Sequence, residues 1–212
     1  MLSLSLFCSS QTISLAVFKK KKLVKLFKIK IFNNKVDGIF KILKKCLDDF
    51  DIKKFSNVYF SSGPGSFTAL RSLKAISQAL ALSSNSDLLS TSSFSALLAS
   101  IQIKEKNVIA CFKSTNNKFF YQFFERTGRI FKPKYELKFA DENQLIFYFF
   151  EKKKDYDDLL LLSSDNLLNP NKDKINLRIK KIDASHIGNS IFLGYGTKKT
   201  KIFYHNTYYE RR

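Results

Sequence analysis

Tryptophan is absent from this chain of 212 residues, and glycine (7), proline (3), cysteine (3) and histidine (2) are scarce. Each shortage narrows the possibilities. Cys8, Cys46 and Cys111 are far apart, odd in number and without a C-x-x-C spacing, so neither a metal cluster nor a disulfide framework is supported. Cys46, on an apolar helical face, and Cys111, in a strand-like run, read as small buried hydrophobes, and a reducing cytoplasm fits. His186 and His205 form no H-x-x-x-H pair, which leaves no metal site, and two histidines build no Ser-His-Asp or Cys-His arrangement. His186, in "ASHIGNS", reads as a helix-surface histidine. The paired carboxylates Asp48-Asp49 and Asp157-Asp158 are adjacent, point apart and read as solvated surface. No apolar run approaches the roughly 20 residues of a membrane-spanning helix. "MLSLSLFCSS" places a cysteine after an apolar stretch, as a lipoprotein signal does. No basic residue precedes that stretch, however, and Phe7 stands where a small residue would precede cleavage. Leu2, Leu4, Leu6 and Cys8 alternate with Ser3, Ser5 and Phe7, the period of a strand. A soluble cytoplasmic chain with no membrane partner and no cofactor is expected.

Lysine, by contrast, is abundant. Lys plus Arg number 37 against 18 acidic residues, a formal charge of +19. Such an excess ordinarily suggests an RNA or membrane-surface partner. Here Lys, Asn, Phe and Ile are enriched together, as an A/T-rich coding sequence would produce, and the lysines are spread along the whole chain. A solvated lysine surface is the expected reading of the charge, with general nucleic-acid affinity as the alternative. The densest run, "KKKKLVKLFKIK" (residues 19–30), reads as a strand leaving a charged turn, with lysines guarding a sheet edge.

Three strands open the chain, over 2–8, 12–18 and about 23–32. The period then changes. Val36, Ile39, Phe40, Leu43, Cys46, Leu47 and Phe50 recur at steps of three and four, which predicts an amphipathic helix over about 35–50. "NVYFSS" (57–62) is a short strand, followed by a loop and a helix over about 66–83, half of a βαβ unit. "DLLSTSSFSALLAS" reads as a strand and a capped helix near 91–100. A second series follows. "NVIACF" and "KFFYQFFE" form a hairpin around "KSTNNK", and Pro133 demotes "RIFKPKYELK" to an edge. "DENQLIFYFFE" is a helix with an acidic start, "YDDLLLLSS" a buried strand, and "DASHIGNSIFLGYG" a helix stopped by Gly194 and Gly196. The second half repeats the first in outline, which predicts two domains, 1–102 and 103–212.

Two of the seven glycines and one of the three prolines fall in "SSGPGSFTAL" (61–70). A loop that opens a helix leaves the first amide N–H groups unpaired and able to bind an anion. Gly63 and Gly65 permit conformations that a Cβ forbids, and Pro64 fixes φ between them. Alternatively this is a tight turn in which Ser66 or Thr68 caps those amides. No lysine follows as in G-x-x-x-x-G-K-[ST], so spacing alone favours the turn. Set at 100° steps, Ala69, Leu73, Ile76 and Leu80 make one apolar face of the helix. Thr68, Ser72, Ala75, Ala79 and Ser83 gather on a neighbouring stripe where every side chain is small, with Arg71, Lys74 and Gln78 on a third side. Such a stripe admits close approach of another helix, either the 36–50 helix of the same domain or one from another chain.

These residues match a known pattern. "SSGPGSFTALRSLKAISQALAL" resembles the signature of the TsaB (YeaZ-like) family, in which a strand leads into G-P-G-S-F-T-G-[LV]-R and a small-residue helix. "SSQTISLAVF" is similar to that family's first hairpin, "DLLSTSSFSALLAS" to its V-S-S-L-E-A-L-A segment, "NVIACFKSTNNKFFYQFFERTG" to the opening of its second half, and "HNTYYERR" to its P-x-Y-L-R tail. The resemblance implies an α/β, two-lobed ASKHA (actin and Hsp70-like) fold with mixed sheets flanked by helices. It also implies a non-catalytic, cytoplasmic subunit that supports a TsaD-like paralogue in threonylcarbamoyladenosine modification of tRNA, with a TsaE-like ATPase completing the complex. Docking would use Thr68, Ser72, Ala75, Ala79 and Ser83 together with Val36, Ile39, Phe40 and Leu43. The loop of Gly63, Pro64, Gly65, Ser66, Phe67 and Arg71 would set where the docking helix begins. A weak homodimer is expected when the chain is alone.

The sequence departs from the family at Phe7, where the first strand carries an acidic residue, at Ala69 in place of Gly, and at Ser72-Leu73 in place of Ile-Gly. Phe7 removes the carboxylate with which an ASKHA site holds a metal-bound phosphate. That weighs against the alternative reading, an ASKHA-type small-metabolite kinase or acyl-transferring enzyme with "GPGSFT" as phosphate cradle and Arg71 as charge clamp. A lysine-rich RNA-binding module is a third reading, although no RNP-like or KH-like pattern is visible.

Overall fold

Alternation at the start of the chain builds the first sheet. The computed structural model describes residues 1–9, 12–30, 35–114, 117–168 and 174–202. Strands β1 (Leu2–Cys8), β2 (Thr12–Lys19) and β3 (Lys22–Lys30) form an antiparallel meander, and β4 (Phe55–Ser61) and β5 (Asp87–Thr91) add in parallel beside β1. The order is β3-β2-β1-β4-β5, so the lysine-rich strand is an edge, as expected. Leu4, Leu6, Cys8, Ile13, Leu15, Val17, Val58 and Phe60 line one face. Helices α1 (Lys35–Asp49) and α2 (Phe67–Ser84) cover it with Ile39, Ile42, Cys46, Ala69, Leu73 and Leu80. Each buried Leu, Ile or Phe contributes about 1.5–3 kcal/mol, and this face holds the larger share of them in the unit.

The opposite face carries Ser5, Ser14, Ala16 and Phe18, all buried. It is covered by a helix near the far end of the chain, Ala184–Ser190, which packs on β1 and β2. Here the backbones come close. A Cβ on Gly188 would sit 2.4 Å from Phe18 Cε2, so only glycine fits. The sequence places this helix in the second domain, but its packing puts residues 182–202 with Met1–Ala96, and the first division of the chain falls between Ala96 and Leu97. Helix α3 (Ser93–Leu98) spans that division.

Leu97–Lys181 form the second unit. Strands β6 (Asn107–Lys113) and β7 (Lys118–Thr127) make the expected hairpin. One edge of β7 is shared by β8 (Ile130–Pro133) and β9 (Lys138–Asp141), two short strands separated at Pro133. Strands β10 (Leu159–Ser163) and β11 (Leu177–Ile179) add in parallel on the other side of β6. Helix α4 (Glu142–Asp155) starts at a capping box, in which Gln144 N–H donates to Asp141 Oδ1 (2.9 Å) and Asp141 N–H to Gln144 Oε1 (3.3 Å). It lays Leu145, Ile146 and Phe149 on Ile109, Cys111, Phe119 and Phe123. The helix Ala184–Ser190 is accordingly α5, the only element after β11 besides a π-helical turn over Ile191–Tyr195, among the described residues. Both units are α/β, with mixed sheets flanked by helices. All three cysteines are free and buried, and among the described residues no helix is long and apolar enough to cross a membrane.

Candidate partner-docking site

The Gly-Pro-Gly loop is stitched down by serine. Strand β4 ends at Ser61, whose hydroxyl accepts from Gly63 N–H (3.3 Å) and lies 2.8 Å from Ser93 Oγ, which donates to Pro64 O (2.9 Å). Ser93 N–H donates to Gly63 O (2.7 Å), and both Ser62 N–H and Ser62 Oγ donate to Thr91 O (2.9 and 3.1 Å). Gly63 has φ of 102°, which glycine alone adopts readily, and the Gly63–Pro64 peptide is cis. Gly63 and Pro64 are buried, Gly65 is exposed, and Ser66 and Phe67 are half-buried. The loop's carbonyls are therefore tied to the connection between β5 and α3, which fixes where α2 starts.

The cap differs from expectation. Ser66 occupies the N-cap position, yet its side chain makes no capping hydrogen bond, and Thr68 is exposed. The backbone around Ser66 holds the turn through Leu70 N–H donating to Ser66 O (2.9 Å). Arg71 does not turn toward the loop amides. Its guanidinium stacks 4.3 Å from the centre of the half-buried Phe67 ring, a cation–π pair.

Helix α2 buries Ala69, Leu70, Leu73, Ser77, Leu80 and Ala81, and the predicted stripe remains on the outside. Thr68, Ala75, Ala79 and Ser83 are exposed and Ser72 is half-buried. Two hydroxyls on the stripe are satisfied by their own helix: Ser72 Oγ donates to Thr68 O (3.0 Å) and Ser83 Oγ to Ala79 O (2.8 Å). That back-bonding folds the polar atoms flat and leaves them no need of water. The result is a shallow surface on which two of the three hydroxyls are already satisfied before another helix approaches. Leu82, 83% exposed, borders it. Sequence reasoning missed Leu82 because it sought apolar residues only on the core face; its helical angle, 40° from Thr68, was the available signal.

The residues predicted on α1 divide. Ile39 is fully buried in the core with Ile42 and Cys46 and cannot touch a partner. Its angle on the helix points at the sheet, a fact the spacing alone hides because Ile39 and Phe40 are neighbours on one broad apolar arc. Phe40 is 56% exposed, and Val36 and Leu43 are half-buried at the flank. Helices α1 and α2 touch, so α1 packs beside α2 without covering its stripe.

Elsewhere the structure brings together a set that the sequence spacing does not single out. At the start of α5, Ser185 Oγ donates to Asp183 Oδ1 (2.6 Å), and His186 Nδ1 lies 3.0 Å from the same oxygen and 3.5 Å from Ser185 Oγ. Both contacts use the same ring nitrogen, whereas nucleophilic catalysis needs the serine and the carboxylate on opposite ones. The arrangement is a capping box, with Ser185 N–H also donating to Asp183 Oδ1 (3.0 Å). Burial alone would push the Asp183 carboxyl up, but hydrogen bonds from His186 and Ser185 outweigh it and hold the group well below the usual carboxylate range. His186 is thus a half-buried cap residue rather than a surface one. Among the described residues no three His, Cys, Asp or Glu side chains converge as metal ligands, and His205 and the segment 205–212 lie outside them. Phe7, in the position of the family's first-strand acid, is buried opposite Ser14.

Comparison with known proteins agrees with this architecture. The sequence model of the TsaD family, tRNA N6-adenosine threonylcarbamoyltransferase, matches residues 34–154, more than half of the chain. No curated protein sequence matches. Among solved structures, YeaZ from Pseudomonas aeruginosa superposes with a TM-score of 0.70 at 13% identity, covering 96% of this chain and 99% of that one. A protein with similarity to peptidase YEAZ from the same organism gives a TM-score of 0.65 at 13% identity, over 93% of this chain and 94% of that one. The ethanolamine utilization protein EutJ from Carboxydothermus hydrogenoformans gives 0.54 at 8% identity, over 91% and 89%. The fold is the ASKHA-like one that the resemblance implies. With the family's sequence model running from the start of α1 to the end of α4, the intact Gly-Pro-Gly-Ser-Phe-Thr loop and the fold of YeaZ, the chain belongs to the TsaD family and stands with its YeaZ-like (TsaB) members.

Proposed function

We propose that this chain is a non-catalytic accessory subunit that docks on a TsaD-like catalytic paralogue and supports threonylcarbamoyladenosine modification of tRNA. Membership of the family supports a role in that synthesis. The observation that carries the docking reading is the uncovered stripe: Thr68, Ala75, Ala79 and Ser83 stay exposed after the helix has covered its own sheet. Val36, Phe40, Leu43 and Leu82 flank it with larger apolar groups, the arrangement of a helix pair whose small residues permit contact and whose large ones anchor it. A TsaE-like ATPase completes the complex, and the same face pairs weakly with a second copy when the partner is missing. Phe7 supplies no carboxylate at the first-strand position, which weighs against an independent nucleotide-using enzyme.

The test is co-expression with the TsaD-like protein of the same genome, for the chain as it stands and for Ala79→Arg. A stoichiometric pair is expected for the parent. The arginine cannot lie flat and carries a charge into a surface that is desolvated on docking, so binding falls at least ~100-fold. Thermal stability changes by no more than about 0.5 kcal/mol, because Ala79 is exposed on its helix and only its carbonyl is used by a neighbour. Normal partner binding by Ala79→Arg would show that another surface docks. Micromolar ATP binding by the isolated chain in calorimetry would favour the enzyme instead.

A further inference from the structure

Positive φ is rare at residues other than glycine, and the described part of this chain has four such positions. Two are asparagines, Asn85 (φ 50°) and Asn117 (φ 54°), the residue best suited to the left-handed region after glycine. The other two are Lys20 (φ 48°) and Lys21 (φ 67°), the two-residue loop that joins β2 to β3. Left-handed backbone at both central positions is the requirement for which Asn-Gly is the favoured sequence. A coding bias toward A/T supplies asparagine as readily as lysine, so bias does not explain why the chain departs from its own habit here. The flanking pair compounds the cost. Lys19 and Lys22 stand directly opposite each other in the ladder, a like-charge pair that works against the hairpin.

Two of the three lysines further along β3 are neutralised: Lys25 Nζ lies 2.6 Å from Asp49 Oδ2 and Lys28 Nζ 3.8 Å from Asp183 Oδ2, which leaves Lys30 at the far end of the strand. Lys19, Lys20, Lys21 and Lys22 are all exposed, and among the described residues no carboxylate pairs with them. Four unpaired ammonium groups are thus held on a narrow tip by a turn that disfavours them. Backbone strain persisting without a structural return points to a ligand. That ligand must be a dense polyanion, since one small anion would engage one or two of the four. The tip itself holds no apolar side chain to insert into a bilayer; Leu23, Val24 and Leu26 are exposed but lie behind it on the strand.

We infer that the β2–β3 hairpin tip, Lys19–Lys22, binds consecutive backbone phosphates of the tRNA on which the complex acts, an inference resting on the function proposed above for its choice of RNA. The contact positions the substrate without reading its sequence.

The test measures binding of an unmodified tRNA transcript to the full chain by fluorescence anisotropy between 50 and 200 mM KCl. The variant combines Lys20→Asn and Lys21→Gly, which relieve the turn, with Lys19→Gln and Lys22→Gln. Its affinity at the lowest salt should fall at least tenfold, and the slope of log affinity against log salt should shrink by about three, since each phosphate contact contributes roughly 0.7–0.9. It should melt no lower than the parent, which separates loss of contact from loss of fold. A control of equal charge, Lys41, Lys44, Lys45 and Lys54 all to Gln, should stay within threefold of the parent. Equal loss in the control, or no loss in the hairpin variant, overturns the inference. So does binding to vesicles of phosphatidylcholine and phosphatidylserine at 3:1 that matches or exceeds binding to tRNA. The hairpin variant should also recover the TsaD-like partner normally, so failure of the docking reading and failure of this one appear in different measurements.

Discussion

The two sides of the first sheet use small side chains for opposite purposes. On the α5 side, Ser5, Ser14 and Gly188 let a helix sink onto the strands: Ser14 Oγ accepts from Ala184 N–H (2.9 Å), Ser5 Oγ donates to Ala184 O (2.5 Å), and Gly188 lies under the Phe18 ring. Every one of those small residues is buried by its own chain. On the other side, α1 and α2 cover the sheet mainly with Ile and Leu, joined by Cys46, Ala69 and Ala81, while Thr68, Ala75, Ala79 and Ser83 of α2 face outward with nothing of this unit upon them. Smallness is a packing device wherever it occurs. What distinguishes the two sides is whether the partner was supplied in cis, and only the unpaired side is a candidate for assembly.

The comparison breaks first, and with the largest effect, at Gly188. If closeness of α5 is what these small residues secure, Gly188→Val should destabilise the protein by about 3 kcal/mol, since the added carbons meet Phe18, itself wedged 5.2 Å from Phe192. Thermal unfolding measures this, and a loss under 1 kcal/mol would mean that α5 sits more loosely than the geometry states. A smaller effect is expected at the cap of the same helix. Asp183→Ala should cost about 1 kcal/mol at neutral pH. The carboxyl is held below its ordinary range in the folded protein, so its contribution is complete above about pH 4 and is lost as pH falls through the lower folded value. The gap between parent and variant should therefore close in the most acidic buffers the fold survives. A gap that widens on acidification would reverse the assigned sign.

Much of the frame was legible because its signals are local. Alternation gave β1 and β2, the change of period at Val36 gave α1, and Asp141 with Gln144 opened α4 where an acidic start was expected. What stayed hidden is nonlocal or weak. "DASHIGNSIFLGYG" announces a helix, but nothing within it says that Gly188 will meet Phe18, 170 residues earlier. Strand β11 has three residues, none buried, and so no alternation to detect. The stripe on α2 was visible as a pattern of small residues, whereas its hydroxyls turning inward, the burial of Ile39 and the idle Ser66 side chain depend on the exact neighbours that tertiary packing supplies.

Leu82 gives the finest test of the difference between the two sides. At 83% exposure it contributes little to its own core, and leucine and alanine have similar helix propensity, so Leu82→Ala should leave stability within about 0.5 kcal/mol. If the outward stripe is an assembly surface, the same change removes an anchor from its border and weakens recovery of the TsaD-like partner roughly tenfold, about 1.4 kcal/mol. The self-association expected of the lone chain should weaken with it, since both would bury the same side chain. A drop in melting temperature with unchanged partner binding would place Leu82 in service of its own fold, and the two sides of the sheet would then differ in degree of burial rather than in purpose.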